Sequence, residues 1–190
     1  MHEYIEAVRE TSSDQKLIDL VNAMADYGVL AQLQFNYNTE NLPQIQGDLD
    51  SVTTAELAAF EPQVTEGAAT GVSYYGTSLV LESETVLRVY FTLDERASIG
   101  DFTFKVGSKK YTPVEKDGKW YVEILNISAK DLDKLYTVTV SSAEGKVVTV
   151  KTSALSYAYK VLTTEGTDAK LVNLVKGLYL YNQAANAYFG

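Results

Sequence analysis

Chemistry in this sequence would have to come from carboxylates and tyrosines. The chain holds 25 Asp and Glu, 14 Tyr, one Trp, one His and no Cys. A Ser-His-Asp triad, a His-based metalloprotease or a two-His metal site needs imidazoles that are missing, since His2 is the only one and sits at the terminus. Without Cys there are no disulfides, thiolate metal sites or Cys nucleophiles, although this does not assign a compartment. Paired carboxylates could hydrolyse glycosidic bonds, one as acid and the other as base or nucleophile. The close pairs have ordinary explanations: Glu82 and Glu84 bracket a turn, Asp94 and Glu95 close a strand, and Asp131 and Asp133 flank a corner.

Two ligand-binding patterns remain. Gly47-Asp48-Leu49-Asp50-Ser51-Val52 with Glu56 beyond resembles part of a calcium loop, in which alternating carboxylates turn oxygens toward one hard cation. Such a loop needs a third oxygen ligand followed by Gly, and Val52 and Thr53 stand there instead. Asp48 and Asp50 are therefore read as turn formers, and no metal or cofactor is expected. Sugar-binding surfaces offer flat aromatic rings. Trp120 shares strand parity with Val122 and Ile124 and is assigned to the core. Tyr90 and Tyr121 share parity with Arg88 and Glu123 and face the other way. Tyr111 and Tyr75 are further candidates for that outer face. The competing expectation is that the face packs on helices, its tyrosines serving as amphipathic interface residues.

The elements that must carry these residues follow from periodicity. Residues 14–35 (DQKLIDLVNAMADYGVLAQLQF) align without a gap with residues 168–189 (DAKLVNLVKGLYLYNQAANAYF), 154 positions later. Leu17, Leu20, Val21, Met24, Tyr27, Ala31 and Phe35 fall on one helical face, as do their counterparts at 171, 174, 175, 178, 181, 185 and 189. A short helix precedes each copy, over Glu3 to Glu10 and Ala154 to Leu162, so each copy forms a helical hairpin. Ser12 and Ser13 are expected to cap the first copy and Thr167 the second. Residues 39–70 read as a connector with one short helix near Thr54 to Phe60, Thr53 as its cap and Glu56 closing a capping box.

From Gly71 the period changes to two. Leu87, Val89, Phe91 and Leu93 begin an alternation that Phe102 to Val106, Trp120 to Ile124, Tyr136 to Val140 and Val148 to Val150 continue. Asp117-Gly118 and Glu144-Gly145 sit where hairpin turns are needed. About seven strands of this kind predict an antiparallel β-sandwich. Leu132, then Tyr136, then TVTV resembles the tyrosine corner of fibronectin type III and immunoglobulin-like domains. The expected fold class is α+β: an immunoglobulin-like β-sandwich flanked by two related helical hairpins that pack together. The parts are residues 1–38, 39–70, 71–152 and 153–190.

Net charge of −9 opposes binding to phosphate backbones, so nucleic acid is not an expected partner. No apolar run approaches the ~18 residues that insertion in a membrane requires. MHEYIEAV carries no signal-like apolar stretch, which leaves a cytosolic protein or a piece of a longer one. A helix beginning so near the terminus favours the piece.

Taken together, YYGTSLVLESETVLRVYF (74–91), AKDLDKLYTVTV (129–140), and SALSYAYKVL followed by LVNLVKGLYLYNQAANAYFG (153–190) resemble a known module. It stands at or near the C-terminal end of large secreted or wall-attached proteins of gut clostridia, often beside leucine-rich repeats, dockerins or carbohydrate-active domains. The resemblance implies an extracellular, non-catalytic accessory module, structural or adhesive, and brings no ligand or functional residue with it. Its partners would be neighbouring domains of the parent protein, with the chain itself monomeric. The alternatives are a carbohydrate-binding module whose polysaccharide would lie on the outward tyrosines, then a glycan-active enzyme using paired carboxylates.

Overall fold

The computed structural model describes residues 2–81 and 84–190. Its described residues form an α+β protein with helices α1 (His2–Thr11), α2 (Gln15–Phe35), α3 (Thr54–Leu57), α4 (Ala154–Thr163) and α5 (Ala169–Phe189). The strands are β1 (Gln63–Glu66), β2 (Val72–Leu81), β3 (Thr85–Leu93), β4 (Thr103–Val106), β5 (Lys109–Tyr111), β6 (Val114–Lys116), β7 (Lys119–Ile124), β8 (Tyr136–Ser142) and β9 (Gly145–Thr152). The chain divides into two compact units. One comprises Met1–Ala59, Ala129–Leu132 and Ala158–Gly190, the other Phe60–Ser128 and Asp133–Tyr157. None of the helices described is long and apolar enough to cross a membrane.

In the helical unit, α1 packs on α2 through Ile5 and Val8 against Val21, with Leu17, Ile18 and Met24 around them. Arg9 pins the pair by donating to Asn22 Oδ1 at 2.7 Å while meeting Glu6 at 2.6 Å. The helix starts differ from expectation. Asp14 and Asp168, not Ser12, Ser13 or Thr167, are the N-caps, and each carboxylate accepts the N–H groups two and three residues on. A carboxylate both satisfies those otherwise orphaned donors and complements the positive end of the helix dipole. Ser12 instead accepts the N–H of Asp14.

α2 lies against α5. Gly177 of α5 permits the approach, because a Cβ there would come 2.4 Å from Leu30 Cδ1 and 3.8 Å from the Tyr27 backbone. Tyr27 and Tyr181 stack with centroids 5.8 Å apart. Burial pushes the Tyr27 hydroxyl pKa up to about 12, with Tyr181 adding to the effect. Val29 and Leu30 are buried outside the predicted stripe, whereas Phe35 and Phe189, at its ends, are exposed. They stop short because each sits in the last turn, where Phe35 rests beside Tyr37 and Phe189 beside Tyr188.

The sheet unit has two antiparallel sheets, one in the order β1-β9-β8-β4-β5 and one in the order β2-β3-β7-β6. Alternation puts Leu87, Val89 and Phe91 of β3 and Val138 and Val140 of β8 in the core, all at or near zero exposure. Phe91 meets Phe104 of β4 edge to face at 5.4 Å, joining the inner faces of the two sheets. The β6–β7 turn is made by Asp117 and Gly118, both with positive φ (52° and 71°), as a two-residue primed turn requires.

The described residues form nine strands where the sequence pattern predicts about seven. β1 lies inside the stretch read as connector and pairs Gln63 to Glu66 with β9. All four of its residues are exposed, so no alternation betrays it. β5 and β6 have three residues each, too short for a period to register. The connector helix is shorter than predicted, passing into a 3₁₀ turn over Ala58–Phe60, but Thr53 and Glu56 do form its capping box. Tyr136 opens β8, half-buried, with the Lys134 ammonium 5.6 Å from its ring centre.

Candidate ligand-binding surface

The four-stranded sheet brings four of the six predicted residues into two adjacent rows. Register pairs Arg88 with Glu123 and Tyr90 with Tyr121 across β3 and β7. Because side chains alternate, all four project from the face opposite Val89 and Val122. The Tyr90 and Tyr121 rings lie 5.1 Å apart at a tilt of 44°. Arg88 donates from Nε to Glu123 Oε1 at 2.8 Å and holds its guanidinium 4.9 Å from the Tyr121 ring centre. Burial acts to lower the Arg88 pKa, but the Glu123 bond and the neighbouring Tyr121 and Glu123 outweigh it, and the net shift is upward. The four groups thus hold one another in place, as cross-strand neighbours do.

Exposure differs within the set. Tyr121 is 7% exposed, Tyr90 is half-buried, and Tyr75 is 57% exposed. With Arg88 over Tyr121 and Tyr90 beside it, this pair presents no open, flat platform of the kind on which a sugar stacks. Tyr75 is the extra residue of a β-bulge between Tyr74 and Gly76, which re-aims it along the sheet. Its ring carries the Lys119 ammonium at 4.5 Å, so it reaches across β3 to β7. Tyr111 does not share this face. It belongs to β5 in the other sheet, opposite Phe104, because its short strand joins β4 and not β7.

Trp120 is also not the enclosed core residue that its parity suggested. It pairs with Phe91 but is only half-buried, since β7 is followed outward by the short edge strand β6 and the space above it stays open.

Three of the carboxylates with a spacing suited to catalysis or metal binding, Asp48, Glu56 and Glu84, accept backbone N–H groups. Asp48 Oδ1 accepts the N–H groups of Asp50 and Ser51 and caps a 3₁₀ turn over Leu49–Ser51. Glu56 accepts the N–H of Thr53 at 2.9 Å, and its bonds to Thr53 lower its pKa. Glu84 accepts the N–H of Asn126 at 3.1 Å, across 42 residues of chain. Glu82 lies outside the described residues. Asp94 sits in a turn in which its own N–H donates to Gly71 and its carbonyl accepts from Ala97. Among the described residues no three His, Cys, Asp or Glu side chains gather as a metal site.

One acidic residue escaped the sequence reading. Asp26, on α2, is 5% exposed and accepts the N–H of Gln46 at 3.0 Å and that of Gly47 at 2.7 Å. It fastens the start of the connector to the helix. A signal was present: the gap-free alignment puts Asp26 opposite Leu180, a charge in one copy where the other is apolar. Gly47 fits between those two residues, and a Cβ on it would lie 3.1 Å from each.

No known family model matches the chain, and no curated protein matches it as a relative.

Proposed function

We propose that the chain is a non-catalytic extracellular accessory module of a bacterial surface protein, structural or adhesive in role. In this reading the two sheets form an immunoglobulin-like sandwich, and α1–α2 and α4–α5 are related hairpins that pack together. The stacking of Tyr27 on Tyr181 supports the pairing, since these are equivalent positions of the two copies. The module works as a monomer with neighbouring domains of its parent protein, without cofactor or nucleic acid.

The observation that carries the non-catalytic reading is the use made of the carboxylates. Asp14, Asp26, Asp48, Glu56, Glu84, Glu123 and Asp168 are each engaged with backbone N–H groups or, for Glu123, with Arg88. A general acid and base need instead to face a substrate with pKa values pulled apart. The alternative, sugar binding on Tyr90 and Tyr121, draws support from their side-by-side placement and is opposed by the Arg88 cover.

The test is to incubate the purified chain with a panel of neutral and acidic polysaccharides and measure new reducing ends. The reading expects none above buffer. Release that disappears in Glu123→Gln or Glu84→Gln would establish an enzyme and overturn it.

A further inference from the structure

Between α1, α2 and the stretch at Pro43, the helical unit holds a cavity of about 160 Å³ that is partly open to solvent. Ile5 and Arg9 of α1 line it together with Ala25, Gly28 and Val29 of α2, and Asp26 borders it. We propose that this cavity binds a neutral one-ring molecule bearing a hydroxyl, of phenol's size, with the ring over Gly28 and the hydroxyl donating to the Asp26 carboxylate.

Gly28 is the feature that points to a ligand. Glycine in a helix interior is less favourable than alanine, so its presence there calls for a close neighbour or for room. Gly177 has the neighbour, since a Cβ on it would lie 2.4 Å from Leu30 Cδ1. Gly28 has none, because a Cβ there would meet nothing within 4 Å. The internal repeat sharpens the contrast. Ala25 and Gly28 align with Tyr179 and Asn182 of α5, and Asn182 is fully buried, its Nδ2 donating to the Ala129 carbonyl at 2.8 Å. Where the second copy places side chains on this face, the first has the two smallest residues beside a cavity.

Size and charge set the class of ligand. An apolar cavity of about 150 Å³ accommodates benzene, so about 160 Å³ suits a single ring and falls below the ~300 Å³ at which drug-sized sites begin. Ile5, Ala25, Val29 and Pro43 offer that ring apolar surface. The charged groups favour a neutral donor. Arg9 is already matched, meeting Glu6 at 2.6 Å and Asn22 at 2.7 Å, so its charge is not left for an acid. Asp26 is 5% exposed and accepts the N–H groups of Gln46 and Gly47, and an ionised carboxylate has acceptor positions to spare beyond those two donors. The same bonds hold the connector, which supplies Pro43, beside α2. The cavity lies within the helical unit alone, so the inference stands whether or not the chain belongs to a surface protein.

The full chain, isotopically labelled at its Ile and Val methyl groups, is titrated separately with phenol, toluene and benzoate and followed by NMR. Saturable shifts of the Ile5 and Val29 methyls are expected with phenol, together with nuclear Overhauser contacts from its ring protons to both. Toluene, which lacks the donor, and benzoate, whose charge Asp26 repels, should each bind at least about tenfold more weakly. Gly28→Leu fills the cavity and should abolish the phenol response, while Gly28→Ala should weaken it about tenfold by crowding the ring. Far-ultraviolet dichroism checks that each variant is folded, and Gly28→Ala, whose added methyl meets open space, carries the test if Gly28→Leu is not. No saturable change, ring contacts only to methyls other than those of Ile5 and Val29, binding of toluene or benzoate as tight as that of phenol, or a response indifferent to a folded Gly28 variant would overturn the proposal.

Discussion

Removing the Asp26 carboxylate should loosen the helical unit more than any other single change to an acidic side chain. The carboxylate is 5% exposed and satisfies two backbone donors, Gln46 with both oxygens at 3.0 and 3.1 Å and Gly47 with Oδ2 at 2.7 Å. A hydrogen bond to a charged group contributes about 1.5–3 kcal/mol, and an orphaned buried donor costs a similar amount. Gln46 is exposed and Gly47 half-buried, so water can recover part of the loss. Asp26→Ala is therefore expected to cost roughly 2–4 kcal/mol. Asp26→Asn keeps an acceptor and should cost about half as much. Asp26→Leu, which copies the counterpart Leu180, restores volume but no acceptor and should resemble the Ala variant. The assay is urea unfolding followed by dichroism at 222 nm, where the helices report. A shift in stability below about 0.5 kcal/mol for Asp26→Ala, the ordinary scatter of surface substitutions, would refute the reasoning.

Two glycines make a paired test: a Cβ at Gly28 of α2 meets nothing within 4 Å, whereas one at Gly177 meets Leu30 at 2.4 Å. Gly28→Ala should stabilise by roughly 0.5–1 kcal/mol through helix propensity, while Gly177→Ala should lose that gain and about 1 kcal/mol more to overpacking, both read from urea midpoints. The Tyr27 pKa is raised from 10.0 to about 12, so its contribution to stability is complete below pH 10 and is lost as pH rises toward 12. Thermal midpoints measured from pH 9 to 12 should fall across that window, less steeply in Tyr27→Phe, and equal slopes would contradict the assignment. A double-mutant cycle on Arg88→Ala and Glu123→Ala should give a coupling of about 0.5–1 kcal/mol, because the pair is partly exposed but has direct geometry. A coupling near zero would mean that the pair does not organise the sheet face.

Strong periodicity made the two long helices and the inner strands legible, since Leu174, Val89 and Val138 occupy positions that only one phase of a helix or strand can bury. Where that signal was weak, the reading failed in physical ways. β1 is exposed along its whole length, so pairing with β9 left no trace in its pattern. Tyr111 was placed on the wrong sheet because parity says which face a residue occupies within a strand but not which sheet the strand joins. Trp120 was read as enclosed because parity ignores what lies above a residue, and only the sheet order reveals an open edge there. Parity assigns Arg88 and Glu123 to the face of Tyr90 and Tyr121, but their pairing beside Tyr121 depends on the register of β3 against β7, which is tertiary information.

The central claim, that the chain works at a bacterial surface, is tested most directly on intact cells of the producing organism. Antibody raised against residues 1–190 is applied before and after lysis, and protease shaving of unbroken cells is followed by peptide identification. The account predicts labelling of intact cells or recovery of the antigen from the culture medium, with peptides of this chain among the shaved products. Antigen detected only after lysis would contradict it.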